Sequence, residues 1–345
     1  MRIGVLGAAR IAPTALMKPA RIVEGVEVGA VAARDRRRAE AFAAKHGVPV
    51  VYDSYAELVA DPSLDAVYVP LPNGLHGRWT LTALRAGKHV LCEKPFTANA
   101  AEAREVAAAA EGTGLVVMEA FHYRYHPLAH RMLEVVHSGE LGTVRRVETS
   151  MCFPLPRFSD IRYDFGLAGG ALMDAGCYAV HCLRLLSGGI SGGLAGDLSG
   201  GLAGGGPVVT SATASTLRKD RRIDRAMTAR FALPDGATGQ IRASMWSRTL
   251  LSIRARVVGE HGTMTVDNYA APQLPSRFVV TVDGKRRRER FGGDSTYTHQ
   301  LRAFAAAVRG EPTNLTPPQD SIATMSVIDA IYTAAGLPLR EQPHA

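Results

Sequence analysis

The first third of the chain alternates short apolar runs with longer amphipathic ones. Apolar runs at Arg2–Leu6, Val26–Ala33, Val48–Val51, Asp65–Val69, Val90–Cys92 and Leu115–Met118 predict strands buried on both faces. Between them, helical spacing predicts helices after the first run to about Val23, over Arg37–His46, from a cap at Asp53-Ser54, from His76 to Ala86, and over Ala98–Ala110. Strands alternating with helices of this length predict a parallel, doubly wound sheet. Beyond Met118 the pattern changes. A helix over Pro127–Ser138 leads to a strand, Val144–Cys152, and Gly169-Gly170 opens a helix that reaches Leu186. From Val208 to about Phe291, successive strands turn at Pro234-Asp235-Gly236, Glu260-His261-Gly262 and Asp283-Gly284, and helices Tyr297–Arg309 and Gln319–Ala335 close the chain. That predicts a second, mainly antiparallel sheet. The expected fold is α/β: a dinucleotide-binding domain over 1–122, then an α+β domain over 123–345 with a large open sheet. One face of such a sheet needs a cover, so a homodimer or homotetramer is expected.

Residues 187–207 repeat a small Gly-rich unit with no apolar face, which predicts a flexible surface loop, with a functional lid as the alternative. The total of 345 residues exceeds one typical core and agrees with two domains. Hydrophobic content of 46% and charged content of 21% describe an ordinary globular chain. No apolar run approaches the roughly 18 residues that span a bilayer. No secretory leader is read before the first strand. The four cysteines, at 92, 152, 177 and 182, have no metal or redox spacing. A reducing, cytoplasmic setting without a metal site is therefore expected. The net charge of +8 implies anionic partners. Its densest basic run, Lys285–Arg290, follows the Asp283-Gly284 turn and has few aromatic neighbours to stack on bases. It reads as a solvated strand face rather than a nucleic-acid patch.

Candidate chemistry begins at the first strand's end. Gly7, Ala8, Ala9, Arg10 and Ile11 make a tight turn into a helix, the arrangement that brings backbone and a helix N-terminus to a pyrophosphate. Ala9 stands where the G-x-G-x-x-[GA] pattern has its middle glycine, and Ala12 satisfies the third position. At the second strand's tip, Arg34 and Arg38 suit a 2′-phosphate, while Asp35 suits a ribose hydroxyl. The expected cofactor is NADP, with NAD as the alternative. The fifth strand ends in Glu93-Lys94-Pro95, which sets an ammonium at the carboxyl edge of the sheet, where ligands bind. Lysine occurs six times against 34 arginines, so an ammonium is placed here in an arginine-biased chain. The Lys94–Pro95 bond is one where the cis isomer is accessible. In the helix that follows Gly170, Asp174, Tyr178 and His181 stand at i, i+4 and i+7 and read as one face. A phenol titrates near pH 10, and a nearby ammonium would lower that value; Lys94 is the expected partner.

These motifs stand in the order and spacing of a known family. The glycine turn, Pro72-Asn73 with His76, Glu93-Lys94-Pro95 and Gly169–Tyr178 resemble the glucose–fructose oxidoreductase / inositol dehydrogenase / rhizopine-catabolism (Gfo/Idh/MocA) family. The resemblance covers nearly the whole chain apart from the Gly-rich insert. Tyrosine at 178, with Glu119–Pro127 and Asp160–Tyr163, is similar to the branch of dihydrodiol and NADP-dependent xylose dehydrogenases. The resemblance implies hydride transfer between a nicotinamide and a secondary alcohol, or its carbonyl, of a sugar, polyol or cyclic diol. It implies Tyr178 as acid/base, Lys94 as its electrostatic partner and Asp174 as an orienting group. Cofactor contacts are implied for residues 7–11, Arg34, Arg38, Leu71, Pro72, Asn73, His76, Glu93 and Lys94. Substrate contacts are implied for Tyr123, Arg124, His126, Arg162 and His181. A dinucleotide-sensing regulator and a glycosidase that recycles its nicotinamide are the other readings.

Overall fold

The computed structural model describes residues 1–188 and 205–343. Most of the predicted Gly-rich loop lies outside the described residues.

The chain opens with β1 (Arg2–Leu6), a π turn over Pro13–Met17 and α1 (Lys18–Ala20). Then follow β2 (Glu27–Ala32), α2 (Arg36–His46), β3 (Val50–Tyr52), α3 (Tyr55–Ala60), β4 (Ala66–Val69) and α4 (His76–Arg85). β5 (His89–Cys92), α5 (Ala100–Ala110) and β6 (Val117–Glu119) complete the first sheet. Its six strands are all parallel, in the order β3-β2-β1-β4-β5-β6. The winding reverses between β1 and β4, and the crevice at the strands' carboxyl ends opens there. Local chemistry sets the helix starts. Asp35 accepts from the Arg37 amide (2.9 Å), Ser54 from Glu57 (3.1 Å) and Asn99 from Glu102 (3.0 Å).

Two strands begin later than their apolar runs. The amides of Gly47 and Val48 both donate to the Ala43 carbonyl, so Val48 caps α2 rather than opening β3. The Leu115 amide donates to the Thr113 hydroxyl and the Val116 amide to His89 Nδ1, so β6 starts at Val117 and carries Glu119 into the core.

The second half contains α6 (Pro127–His137), β7 (Val144–Cys152), a π turn over Leu172–Gly176 and α7 (Cys177–Leu186). Seven strands follow: β8 (Val208–Thr216), β9 (Asp224–Ala232), β10 (Thr238–Ser244), β11 (Ser252–Gly259), β12 (Gly262–Asp267), β13 (Arg277–Val282) and β14 (Lys285–Glu289). The eight-stranded sheet runs β14-β13-β12-β11-β7-β10-β9-β8, antiparallel except where β7 meets β10. Asp283 and Gly284 turn β13 into β14 with φ of 47° and 78°, as a two-residue hairpin requires. The basic run is the strand predicted, and Arg287 within it pairs with Glu140 (2.6 Å).

α7 covers one face of this sheet, where Thr149 donates to the Ala179 carbonyl (2.7 Å). The opposite face carries Glu148, Ser150, Arg242, Arg254, Arg256 and Arg277. Two last helices, α8 (Thr296–Val308) and α9 (Pro318–Ala334), reach back across the molecule. Leu301, Phe304 and Ala305 of α8 join Ile3, Val5, Val31, Tyr68, Leu91 and Met118 in one core on the first sheet. α9 packs on α5, α7 and β8. No helix of the described residues is long and apolar enough to cross a membrane.

Candidate active site

One cleft of ≈ 580 Å³ runs from the turn after β1 to the N-terminal end of α7, within the range of small-molecule sites. At its first end Gly7 has φ of +105°, and a Cβ there would lie 3.2 Å from Leu71 Cδ2. Glycine alone combines that backbone with that approach. Ala8, Ala9, Arg10 and Ile11 continue the wall. Arg34, Arg38 and Tyr55 line the cleft where β2 ends, and Asp35 does not. Asp35 caps α2 instead. Arg36 pairs with Glu40 and Asp53, whereas Arg34 and Arg38 are exposed and have no carboxylate partner among the described residues. The facing wall is Leu71, Pro72, Asn73 and His76. Asn73 donates to the Ala168 carbonyl (3.2 Å), and His76 bridges the Pro95 and Leu71 carbonyls at 2.7 and 2.8 Å. His76 thus ties together the loops that follow β4 and β5. Burial takes its pKa to about 4 against the pull of both carbonyls, so the ring is neutral. A positive-φ glycine turn opposite two unpaired guanidinium groups fits an anionic dinucleotide.

The other end holds the polar groups suited to chemistry. Lys94 follows β5 across a cis peptide bond to Pro95. Its Nζ donates to the Asp174 carbonyl at 2.9 Å and lies 3.6 Å from Asp174 Oδ1. Asp174 Oδ2 accepts from Arg162 at 3.1 Å. Burial works against the Lys94 ammonium, but Asp174 outweighs it and raises the pKa, so the group stays charged. Asp174 and Cys177 together with Arg162 and Asp160 form a continuous polar wall beside it. Glu93 accepts from the Tyr68 hydroxyl at 2.6 Å; burial raises its pKa. Tyr178, 8% exposed, lines the cleft with Tyr297. Its hydroxyl lies 2.8 Å from His122 Nε2.

The structure corrects the expected electrostatics. Lys94 Nζ sits 5.2 Å from the centre of the Tyr178 ring and spends its contacts on Asp174, not on the phenol oxygen. Burial holds the phenol well above its ordinary pKa. The expected common face of Asp174, Tyr178 and His181 is also broken. Asp174 lies in the π turn, which holds more residues per turn than an α-helix and rotates α7 relative to it. His181 is fully buried between Tyr123, whose hydroxyl meets Nδ1 at 2.6 Å, and Asp320, 3.1 Å from Nε2. Tyr123, Arg124 and His126 are buried too and do not line the cleft. His126 accepts from the Leu128 amide (3.1 Å) and caps α6. Of the five expected substrate contacts, Arg162 alone faces the cleft. His122, Tyr297 and Tyr55 enter the site without having been singled out. His122 sits in the His- and Tyr-rich stretch after β6, whose composition was the one available signal.

Comparison with known proteins follows the same lines. Residues 1–121 match the family model described as the oxidoreductase family with an NAD-binding Rossmann fold, and residues 129–265 match the Gfo/Idh/MocA C-terminal domain. The chain belongs to the Gfo/Idh/MocA oxidoreductase family. A relative in that family, D-xylose 1-dehydrogenase (NADP(+)) 2 of Haloferax volcanii, is 38% identical over 340 residues, covering 97% of each chain. Among solved structures, aldose-aldose oxidoreductase of Caulobacter crescentus complexed with glycerol superposes with a TM-score of 0.84 at 26% identity, covering 97% of each chain. A 3-ketoreductase of Actinomadura kijaniata with NADP and TDP-benzene gives 0.83 at 27% identity, with the same coverage. The predicted two-sheet fold and the oxidoreductase class of this Gfo/Idh/MocA member agree with these likenesses.

Proposed function

We propose that the chain transfers hydride between NADP and a secondary alcohol, or its carbonyl, on a sugar, polyol or cyclic diol. Tyr178 acts as acid/base. Lys94 holds Asp174 and turns a remaining N–H to the substrate oxygen, and Arg162 completes the polar wall. The bound nicotinamide supplies or receives the hydride. The observation that carries the reading is the single cleft joining the glycine turn to Tyr178, Lys94 and Asp174. Relatives named as an NADP-dependent xylose dehydrogenase and a 3-ketoreductase support the cofactor and the substrate class. A panel of sugars, polyols and cyclic diols, read by NADPH absorbance, tests it. NADPH formation with one or more members is expected. NADP binding with no turnover would favour the regulator reading; glycoside cleavage without net NADPH would favour the glycosidase reading.

Arg34 and Arg38 carry the cofactor preference. Removing one charge-assisted contact to a phosphate costs about 10–100-fold in affinity. Arg38→Ala is therefore expected to raise the Michaelis constant for NADP on that scale and leave that for NAD nearly unchanged. An equal change for both cofactors would sink the assignment.

The open face of the second sheet is proposed to pair with another copy. Its arginines outnumber Glu148 and Asp267, and Asp267 is shared by Arg254 (2.5 Å) and Arg277 (2.6 Å). Two such faces repel at low ionic strength and associate more tightly as salt screens them. Sedimentation velocity should find a dimer or tetramer whose share rises with salt; a monomer at every salt concentration would refute the pairing.

A further inference from the structure

The Tyr178 hydroxyl has one hydrogen-bond partner among the described residues, and it is His122. Nε2 lies 2.8 Å from the phenol oxygen, and Nδ1 lies 2.8 Å from Thr296 Oγ1. The three side chains come from three elements. Tyr178 stands in the first turn of α7, His122 in the 3-10 turn after β6, and Thr296 at the start of α8. All are buried. The imidazole also lies against the Tyr297 ring, with centroids 4.0 Å apart.

Donor counting sets the direction of this chain. Burial, helped by Lys94, takes the His122 pKa down to about 3, so the ring carries one proton at neutral pH. With that proton on Nδ1, His122 would donate to Thr296. The Thr296 hydrogen would then be buried without an acceptor, since no other partner meets that hydroxyl among the described residues. The Tyr178 hydrogen would point at Nε2, away from the cleft. With the proton on Nε2, Thr296 donates to Nδ1 and Nε2 donates to the phenol oxygen. The Tyr178 hydrogen is then free to face the cleft, and both contacts are satisfied.

We propose that His122, held in its Nε2–H form by Thr296, is the positioning residue that aims the Tyr178 proton at the substrate oxygen and stabilises the phenolate left behind. The inference rests on the reading of Tyr178 as acid/base. When a carbonyl is reduced, the substrate oxygen bears the new negative charge and takes the proton from Tyr178 Oη. The O–H bond of the phenol breaks, a new one forms on the product, and the phenolate accepts the Nε2–H bond. His122 gives up no proton. Oxidation runs the same steps backwards. The other groups that face Tyr178 cannot replace this donor: Glu93, Asp174, Cys177 and Tyr297 disfavour the phenolate, and Lys94 lies over the ring, 5.2 Å from its centre.

Two measurements test it on the full chain. In the first, ¹⁵N NMR of the imidazole groups is assigned by comparison with His122→Phe. A neutral His122 protonated on Nε2 is expected; protonation on Nδ1 overturns the proposal whether or not a substrate is known. In the second, the pH profile of alcohol oxidation is compared among the native chain, His122→Phe and His122→Gln, whose amide reaches the Nε2 position. Loss of a hydrogen bond to a charged oxygen is expected to move the His122→Phe profile up by about one to two pH units and to lower neutral-pH turnover by about tenfold or more. His122→Gln should recover most of both. A folded His122→Phe with an unmoved profile overturns the proposal. Full activity in Tyr178→Phe would instead strike the acid/base reading, leaving the tautomer measurement to stand separately.

Discussion

Tyr178→Phe is expected to lose about 10²–10⁴-fold in turnover, the usual worth of a positioned acid–base group, while binding NADP like the native chain. The substitution removes one oxygen and keeps the ring. That ring packs edge-on against Phe121 at 5.4 Å, beside Tyr123 at 6.1 Å, with Lys94 above it. None of these contacts uses the hydroxyl, so the fold and the distant glycine turn should be undisturbed. Lys94→Ala is expected to lose activity on the same scale for a different reason. It leaves Asp174 with Arg162 alone and takes the one ammonium out of the reaction end of the cleft. Steady-state turnover at saturating NADP, together with cofactor titration, separates the two effects from binding. Near-native turnover in either variant would refute its assignment.

Glu119→Gln should make the protein markedly more resistant to alkaline unfolding. Glu119 ends β6, is 1% exposed, and accepts from the Ser321 hydroxyl at 2.6 Å; its second oxygen has no partner. Burial raises its pKa from 4.5 to about 8. The folded value is above the unfolded one, so the stability it contributes is complete below pH 4.5 and is lost as pH rises through 8. At about 1.4 kcal/mol per pH unit, that loss reaches roughly 4 kcal/mol. Glutamine keeps the shape and an acceptor for Ser321 but does not titrate. Urea midpoints measured from pH 5 to 9, in steps of about one unit, should show the variant's advantage growing up to pH 8 and then levelling off. A difference independent of pH would show that Glu119 ionises in the fold at its ordinary value.

What could be read from the sequence was local in origin. The Gly7 turn, the caps at Asp35, Ser54 and Asn99, and the strand ending in Glu93-Lys94 each depend on neighbours within a few residues. Such neighbours are written into the chain. The cofactor candidates from Gly7 to Lys94 therefore line one cleft. The substrate candidates fared differently because their placement is tertiary. His181 looked like a neighbour of Asp174 under α-helical spacing, but the π turn over Leu172–Gly176 changes that spacing, and no residue pattern announces it. Tyr123, Arg124 and His126 share a segment with His122, yet a tight 3-10 turn sends His122 toward Tyr178 and buries the rest elsewhere. Tyr297 and Thr296 lie far along the chain from the nucleotide fold, so only their packing brings them to the phenol. The same holds for the Lys94 ammonium. Its position at the sheet edge was legible, but its commitment to Asp174 rather than to Tyr178 was not.

The return of α8 to the first sheet bears on how the chain acquires its shape during synthesis. Leu301, Phe304 and Ala305 fill the core that also holds Ile3, Val5 and Leu91. A ribosome that has released the whole nucleotide sheet has not yet made the residues that seal it. Until the last quarter of the chain emerges, one side of that sheet presents apolar surface to the solvent and to chaperones. The sheet that starts first is thus among the last parts to be finished.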